Sequence, residues 1–368
     1  MRSESLPRTP ATEPSGVSAA PPAGTPLREI LSSWAGADAD RQSVADTVER
    51  VAGATVRLAA LVAGAPLNAD ALPDVDPEAR GGGDQAKPLD LAAERILLDS
   101  LRGGLVAAVA SEESEAPITI EPGAGLVLTT DPIDGSGNID INAPIGSIFS
   151  VLPVGEHAAD PAAALLQTGR AQLAAGFTVY SASTILVLTL GERVDAYALD
   201  PDSQEYRLLS AGLRAPQDSQ EYAINASNSR HWAQGIRSYI ADMVEGASGP
   251  REQDFNMRWI GALVAEAYRI LLRGGIYLYP ADVRPGYERG RLRLVYEANP
   301  IAMIFEAAGG AATDGLEAIL DLVPTDHHQR TALVFGSASK VDRVRRYLSE
   351  TRPHDTSPLF GTRGLFRD

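Results

Sequence analysis

Hydrophobic and polar positions change period several times along this chain, and the changes mark its elements. Over residues 27–67 the apolar residues recur at helical spacing. Ile30, Leu31 and Trp34 mark one face, and Val44, Val48, Val51, Val56, Leu58 and Leu61 continue another, which predicts a helix pair. Pro88-Leu89-Asp90 precedes a further helix to about Leu101, and residues 106–110 form a short apolar run. Residues 125–130 alternate and are β-prone, a predicted strand that Pro132 should end. The β-rich runs at 145–154, 174–180, 184–190 and 194–199 predict a meandering sheet that closes the first half. Residues 211–220 are polar and turn-rich, placing a domain boundary near residue 213.

The second half repeats the mixture. Strands are predicted at 222–225, 276–280, 291–296 and 332–335, and helices at 262–272, 301–308 and 338–350. Tyr277 and Tyr279 share one strand face, which by itself reads as packing. Asn299-Pro300 predicts a helix start, with Asn299 as N-cap, and Gly309 a stop. The sum is an α/β chain of two parts. Residues 1–25, rich in Pro, Ala, Ser and Thr, lack the apolar residues to build a core and are expected to be a disordered tail, and residues 351–368 read as a polar C-terminal tail.

Composition narrows the function. A hydrophobic fraction of 44% is that of a globular protein with a substantial core, and the 368 residues suffice for two domains. The formal charge of −16 argues against nucleic acid, and no apolar stretch is long enough for a membrane span. It also means that an anionic substrate must be met by local cations, backbone N–H groups or metal ions. With no cysteine there is neither thiol catalysis nor thiol regulation, and the five histidines show no zinc-protease spacing.

The chemistry concentrates in Asp131-Pro132-Ile133-Asp134-Gly135-Ser136-Gly137-Asn138-Ile139-Asp140. Carboxylates this close repel unless hard divalent ions lie between them, and the N–H groups after Asp134 suit phosphate. An isolated Asp-Gly pair is an ordinary turn; the whole run is far more specific. Glu112 and Glu113 follow the 106–110 run, so two neighbouring strand ends carry acids. Glu297 is predicted as a third strand-end carboxylate, just before a helix. Asp84 reads alone as a loop residue and Asp90 as a helix N-cap.

The decapeptide is similar to the signature of metal-dependent sugar-phosphate and inositol-phosphate phosphatases. Over residues 25–350 the chain resembles the class I fructose-1,6-bisphosphatases of bacterial type. The matching runs include Gly83-Asp84-Gln85, Ser111-Glu112-Glu113, the decapeptide continuing through Gly146-Ser147-Ile148-Phe149, Gly274-Gly275-Ile276-Tyr277-Leu278-Tyr279-Pro280, Tyr296-Glu297-Ala298-Asn299-Pro300 and Pro324-Thr325-Asp326-His327-His328-Gln329-Arg330. An inositol phosphatase would be expected to carry Trp-Asp where this chain has Tyr296-Glu297.

The resemblance implies a layered α-β-α-β-α sandwich of the sugar phosphatase type, with two α/β subdomains. These are a metal-binding domain at 26–213 and a sugar-phosphate-binding domain at 214–350. It implies Glu112, Asp131, the carbonyl of Ile133, Asp134 and Glu297 as ligands of two or more Mg²⁺ ions per subunit, with Mn²⁺ as the alternative. It implies Asp84, Asp90 and Glu113 as the residues that position and deprotonate the attacking water, overriding the capping reading of Asp90. Gly135, Ser136 and Gly137 would hold the phosphate to be cleaved, alongside Asp134 and Glu297. Asn225, Trp259, Tyr279, Arg291 and Arg293 fall where the family binds the sugar and its other phosphate, and Arg258 where it reaches the neighbouring subunit's site. The implied protein is a cytoplasmic homotetramer, a dimer of dimers, hydrolysing the 1-phosphate of fructose 1,6-bisphosphate in gluconeogenesis or the Calvin cycle. A dual fructose-1,6/sedoheptulose-1,7-bisphosphatase, a non-catalytic sugar-phosphate sensor and an inositol or nucleotide phosphatase are the alternatives.

Four departures stand out. Gly137 replaces a usual serine, Trp259 and Asn228 replace tyrosines, and Arg291 replaces a lysine. The family's AMP site is expected to be missing: residues 35–47 lack its Gly-Thr-Gly-Glu-Leu-Thr turn, and Gly125, Leu126 and Pro153 stand where its lysine, tyrosine and arginine would be.

Overall fold

In the computed structural model, residues 21–67 and 88–349 are described. The predicted helix pair is α1 (Leu27–Ala35) and α2 (Ala39–Gly64). Asp38 caps α2, its side chain accepting from the N–H groups of Asp40 and Arg41. Together with α3 (Pro88–Leu101), these helices bury Ile30, Leu31, Val44, Val48, Val51, Leu97 and Leu101 against a first sheet. Asp90 lies inside the first turn of α3 and is buried, so it is not the N-cap that pattern suggested.

That sheet has eight strands: β1 (Val106–Ser111), β2 (Ile118–Thr119), β3 (Leu126–Asp134), β4 (Ile145–Pro153), β5 (Ala174–Tyr180), β6 (Ile185–Thr189), β7 (Val194–Leu199) and β8 (Tyr206–Ser210), in the order β2-β1-β3-β4-β5-β6-β7-β8. β1 and β3 are parallel, and β3 through β8 form the expected antiparallel meander. β3 is buried along all its residues, so the expected alternation there has no exposed face to match.

A second, five-stranded sheet contains β9 (Glu221–Ile224), β10 (Asn256–Met257), β11 (Ile276–Tyr279), β13 (Gly310–Thr313) and β15 (Leu333–Ser337), ordered β10-β9-β11-β15-β13. β12 (Leu292–Arg293) and β14 (Arg330–Thr331) pair separately. Helices α5 (Leu263–Arg273) and α6 (Asn299–Ala307) fill the space between the sheets. Leu263, Val264, Ile270, Ile301 and Phe305 share one core with Phe177 and Val187 on one side and Tyr277 and Phe335 on the other. Helices α4 (Gln234–Val244) and α7 (Ala338–Ser349) cover the outer face of the second sheet through Ile236, Tyr239, Val341 and Val344. The order of layers is therefore α-β-α-β-α.

Two predicted strands differ from the structure. β3 does not stop before Pro132 but continues to Asp134, because its register against β4 slips there. The predicted strand at 291–296 is two residues long and passes into a single π-helical turn, Leu294–Ala298. Asn299 is the first residue of α6 rather than its N-cap, and no side chain caps that helix.

Candidate active site

Residues three apart on a regular strand point to opposite faces, so Asp131 and Asp134 should diverge. They do not, because Asp131 is opposite Ile148 and Asp134 opposite Gly146. Three steps along β3 match two along β4, which is a bulge. The extra residue restores both carboxylates to one side. Pro132 is tolerated here because a bulge needs no ladder N–H, and the Asp131 Oδ1 bridges it by accepting from the Ile133 N–H at 3.0 Å. Gly146 permits the close fit on the other strand. A Cβ there would lie 1.9 Å from the Thr178 carbonyl oxygen and 2.6 Å from Val264 Cγ2. Val264, so placed, donates its N–H to Asp134 Oδ2 at 2.9 Å, and Asp134 thereby caps α5 from outside the helix.

Glu297 arrives from the π-helical turn and accepts the Arg293 N–H at 2.5 Å. Asp131, Asp134 and Glu297 are all buried, and one oxygen of each lies within 4.8 Å of the others. Burial pushes the Asp131 carboxyl well up, and Glu112, Asp134, Glu297 and Glu113 add to it. Burial also raises Glu297, with Glu112 the largest neighbouring charge. It carries Asp134 up to about 7 against the opposing Val264 N–H. Glu112, at the end of β1 and fastened by its N–H to the Thr130 carbonyl, thus belongs to the same acidic cluster. Carboxylates that resist ionising because they are buried and crowd one another, with oxygen donors only, form a set that fits hard divalent cations and disfavours zinc.

Asp90 is buried in the first turn of α3, whose Leu89 and Ala93 pack in one cluster with Ile133. Asp84 lies outside the described residues. Gly135 turns the chain at φ +79°, where an added Cβ would come 2.7 Å from that of Ala262. The following turn, Ser136–Ile141, carries Ser136 and Gly137, whose φ and surroundings need no glycine. Asn138 ties the turn down by donating to the carbonyls of Pro144 and Ile260.

On the second sheet, Asn225, Asn228 and Tyr279 line one small pocket with Asp282. Trp259 stacks on Tyr277, centroids 5.9 Å apart and planes within 7°, and also meets Tyr279. Arg293 reaches Glu297 electrostatically and donates from its guanidinium to the Arg291 carbonyl at 3.0 Å. Arg258 stands apart. Its side chain is about half exposed (51%), and its carboxylate neighbour, Glu221, is 3.7 Å away.

Pattern reading missed three contributors. The start of α5 supplies an N–H to Asp134. Burial, then Tyr279, raises the Tyr277 hydroxyl, and Asp134 and Glu297 are among the charges that add to it, placing it near the acids. His328 bridges Tyr296, whose hydroxyl is 2.9 Å from Nδ1, to the Ser114 carbonyl, 3.1 Å from Nε2, and so pins the loop after Glu113. Only the 324–330 run signalled His328; the other two depend on residues distant in the chain.

Comparison with known proteins gives concordant matches. The model of the fructose-1-6-bisphosphatase N-terminal domain matches residues 77–211, and that of its C-terminal domain residues 215–349. A fructose-1,6-bisphosphatase class 1 of Azorhizobium caulinodans is 52% identical over 322 residues, covering 87% of this chain and 98% of that one. One from Rhodopseudomonas palustris strain HaA2 is 46% identical over 349 residues, covering 94% and 99%. The crystal structure of Leishmania major fructose-1,6-bisphosphatase in holo form superposes with a TM-score of 0.79 at 30% identity, covering 89% of this chain and 100% of that one.

Proposed function

The chain belongs to the fructose-1,6-bisphosphatase class 1 family, and from that membership we propose how its residues hydrolyse fructose 1,6-bisphosphate. The products are fructose 6-phosphate and phosphate. The observation that carries the reading is the meeting of Asp131, Asp134 and Glu297 at the bulged end of β3, beside the Gly135 turn. Metal dependence follows from the family and from this buried acidic cluster. The finer proposal is two or more Mg²⁺ ions, with Mn²⁺ as the alternative, held by Glu112, Asp131, the Ile133 carbonyl, Asp134 and Glu297. Bound there, such ions would supply Lewis-acid polarisation of the phosphate and a more acidic water.

The chain's own groups do the rest. Asp84, Asp90 and Glu113 position the attacking water and take its proton. Backbone N–H groups at Gly135, Ser136 and Gly137 hold the phosphate that leaves the sugar. Asn225, Trp259, Tyr279, Arg291 and Arg293 hold the sugar and its distal phosphate, orienting C1 towards the carboxylates. Positioning and charge stabilisation are what phosphoryl transfer chiefly requires. Arg258 serves the neighbouring subunit within a homotetramer, and its exposure leaves it able to do so. The reading divides the chain near residue 213 into a metal-binding and a sugar-phosphate-binding domain. It places the enzyme in the cytoplasm, in gluconeogenesis or the Calvin cycle.

Trp259 and Asn228, in place of two tyrosines, favour one second reading, a dual enzyme that also accepts sedoheptulose 1,7-bisphosphate. Retention of the acidic cluster weighs against a non-catalytic sensor. A panel of fructose 1,6-bisphosphate, sedoheptulose 1,7-bisphosphate, inositol monophosphate and a 3′,5′-bisphosphate nucleotide, assayed for metal-dependent phosphate release, tests the proposal. Release from one or both sugar bisphosphates is expected. Release only from inositol or nucleotide phosphates would overturn it.

A further inference from the structure

At the end of the second sheet away from the substrate pocket, a cavity of about 420 Å³ opens between the β8–β9 connection and the start of α7. Arg251, Lys340 and Arg343 line it, with Ser339 and Gln220, and the exposed Asp218 is the only carboxylate in the lining. A converging trio of cations is unexpected in a chain of formal charge −16. Lys340 is only 7% exposed, faces the cavity, and makes no hydrogen bond or ion pair with another described residue. Its ammonium lies 5.2 Å from the Phe255 ring, whose centroid is 4.9 Å from the Arg251 guanidinium. An aromatic face steadies a cation but leaves its charge unneutralised.

Burial, helped by Arg251 and Arg343 and only partly opposed by Asp218, carries the Lys340 ammonium down to about 8. The first-turn N–H groups of α7, at Ala338, Ser339 and Lys340, have no acceptor within the helix and add positive potential at the same place. Three cations plus a helix start match a compact anion of two charges and several acceptor oxygens better than a single carboxylate.

We propose that this cavity is a second ligand site, for phosphate or a phosphate monoester, held by Lys340, Arg343 and Arg251 at the start of α7. It is separate from the active site. β9 starts just after Gln220 in this cavity and ends just before Asn225 in the substrate pocket, and the steps between those two residues span about 16–17 Å at ordinary strand rise. The inference does not rest on the catalytic reading.

Calorimetric titration of the metal-free full chain with inorganic phosphate tests it, because without metals the crowded carboxylates repel that anion. Wild type should bind phosphate. Lys340→Met and Arg343→Ala should each weaken binding about tenfold or more, the loss expected for one charged hydrogen bond, while Lys340→Arg retains it. None of the three should alter metal-supported turnover at saturating substrate. Tighter binding of fructose 6-phosphate than of phosphate, lost in the same variants, would identify a monoester as the occupant; equal affinity would identify free phosphate. Independently of whether Lys340→Met folds, phosphate should slow acylation of Lys340 in the wild-type protein, read by peptide mass spectrometry. Phosphate binding unchanged in Arg343→Ala, or acylation of Lys340 unaffected by phosphate, would overturn the site.

Discussion

Asp134 carries three constraints at once: it ends β3, accepts the Val264 N–H, and belongs to the buried carboxylate cluster. Asp134→Asn keeps an acceptor oxygen for Val264 but removes the charge, so the fold should survive while the metal requirement rises. Glu297→Gln should act alike, because its amide oxygen can still accept the Arg293 N–H. Turnover measured across a Mg²⁺ titration should show the half-saturating concentration rising about tenfold or more in both, in line with losing one charged partner. An unchanged titration in either would remove that residue from the metal set. The identity of these residues was legible in the decapeptide and in Tyr296-Glu297. So was the crowding of Asp131 and Asp134, which the 131–140 run implied; the bulge that brings it about was not, since on a regular strand the two would face opposite ways. The bulge that reunites them depends on pairing with Gly146, and no local pattern reports that partner.

At the scale of elements, the bulge, the start of α5 and the β4–β5 pairing are built around Gly146. Gly146→Ala would drive a Cβ into the Thr178 carbonyl and Val264. Overpacking of a tight core costs about 1–3 kcal/mol or more. A lower denaturant midpoint and a weaker response to Mg²⁺ should appear together, because moving Val264 also moves Asp134. A midpoint equal to wild type would mean that β4 and α5 shift freely. The outer helices were legible because each has one face on a core and one towards water, and the meander because its β-rich runs alternate with turn signals, although β4, β5 and β6 are buried on both faces. The segment at 291–296 was misread for the opposite reason. Its Arg-Leu-Arg-Leu start mimics a strand, but Leu294 through Ala298 are buried all round, and full burial erases any period. The 125–134 strand was cut short by giving Pro132 its usual weight; the bulge suspends that rule.

At the scale of the whole molecule, regulation and assembly follow from the same groups. Leu126 and Pro153, two of the three positions that carry cations or tyrosine in AMP-binding relatives, are direct partners across β3 and β4, with Gly125 adjoining. The N–H groups at the start of α2 that could meet a phosphate are already taken by the Asp38 carboxylate, at 3.0 Å each. In the neighbouring cavity Arg193 is paired with Asp195, and Arg41 faces Glu192 at 4.0 Å. A nucleotide phosphate would there compete with the carboxylates that already hold these donors, and its desolvation would be poorly offset. Titration with AMP at limiting Mg²⁺ should leave activity unchanged, whereas inhibition at micromolar AMP would show a site rebuilt from other residues. Assembly is tested by mixing Arg258→Ala subunits with Asp131→Asn subunits. If Arg258 acts across the interface, hybrids regain one native site and exceed both parents; activity no greater than the parents' would count against that role. The catalytic reading depends on the cluster around Asp131 releasing phosphate from fructose 1,6-bisphosphate with metal. The direct measurement is that release, at saturating Mg²⁺, by wild type and by Asp131→Asn. Wild-type release should be abolished by chelation, and the variant's turnover should fall by more than about 10³-fold, beyond the loss of one electrostatic donor. Near-normal turnover by Asp131→Asn would contradict the account.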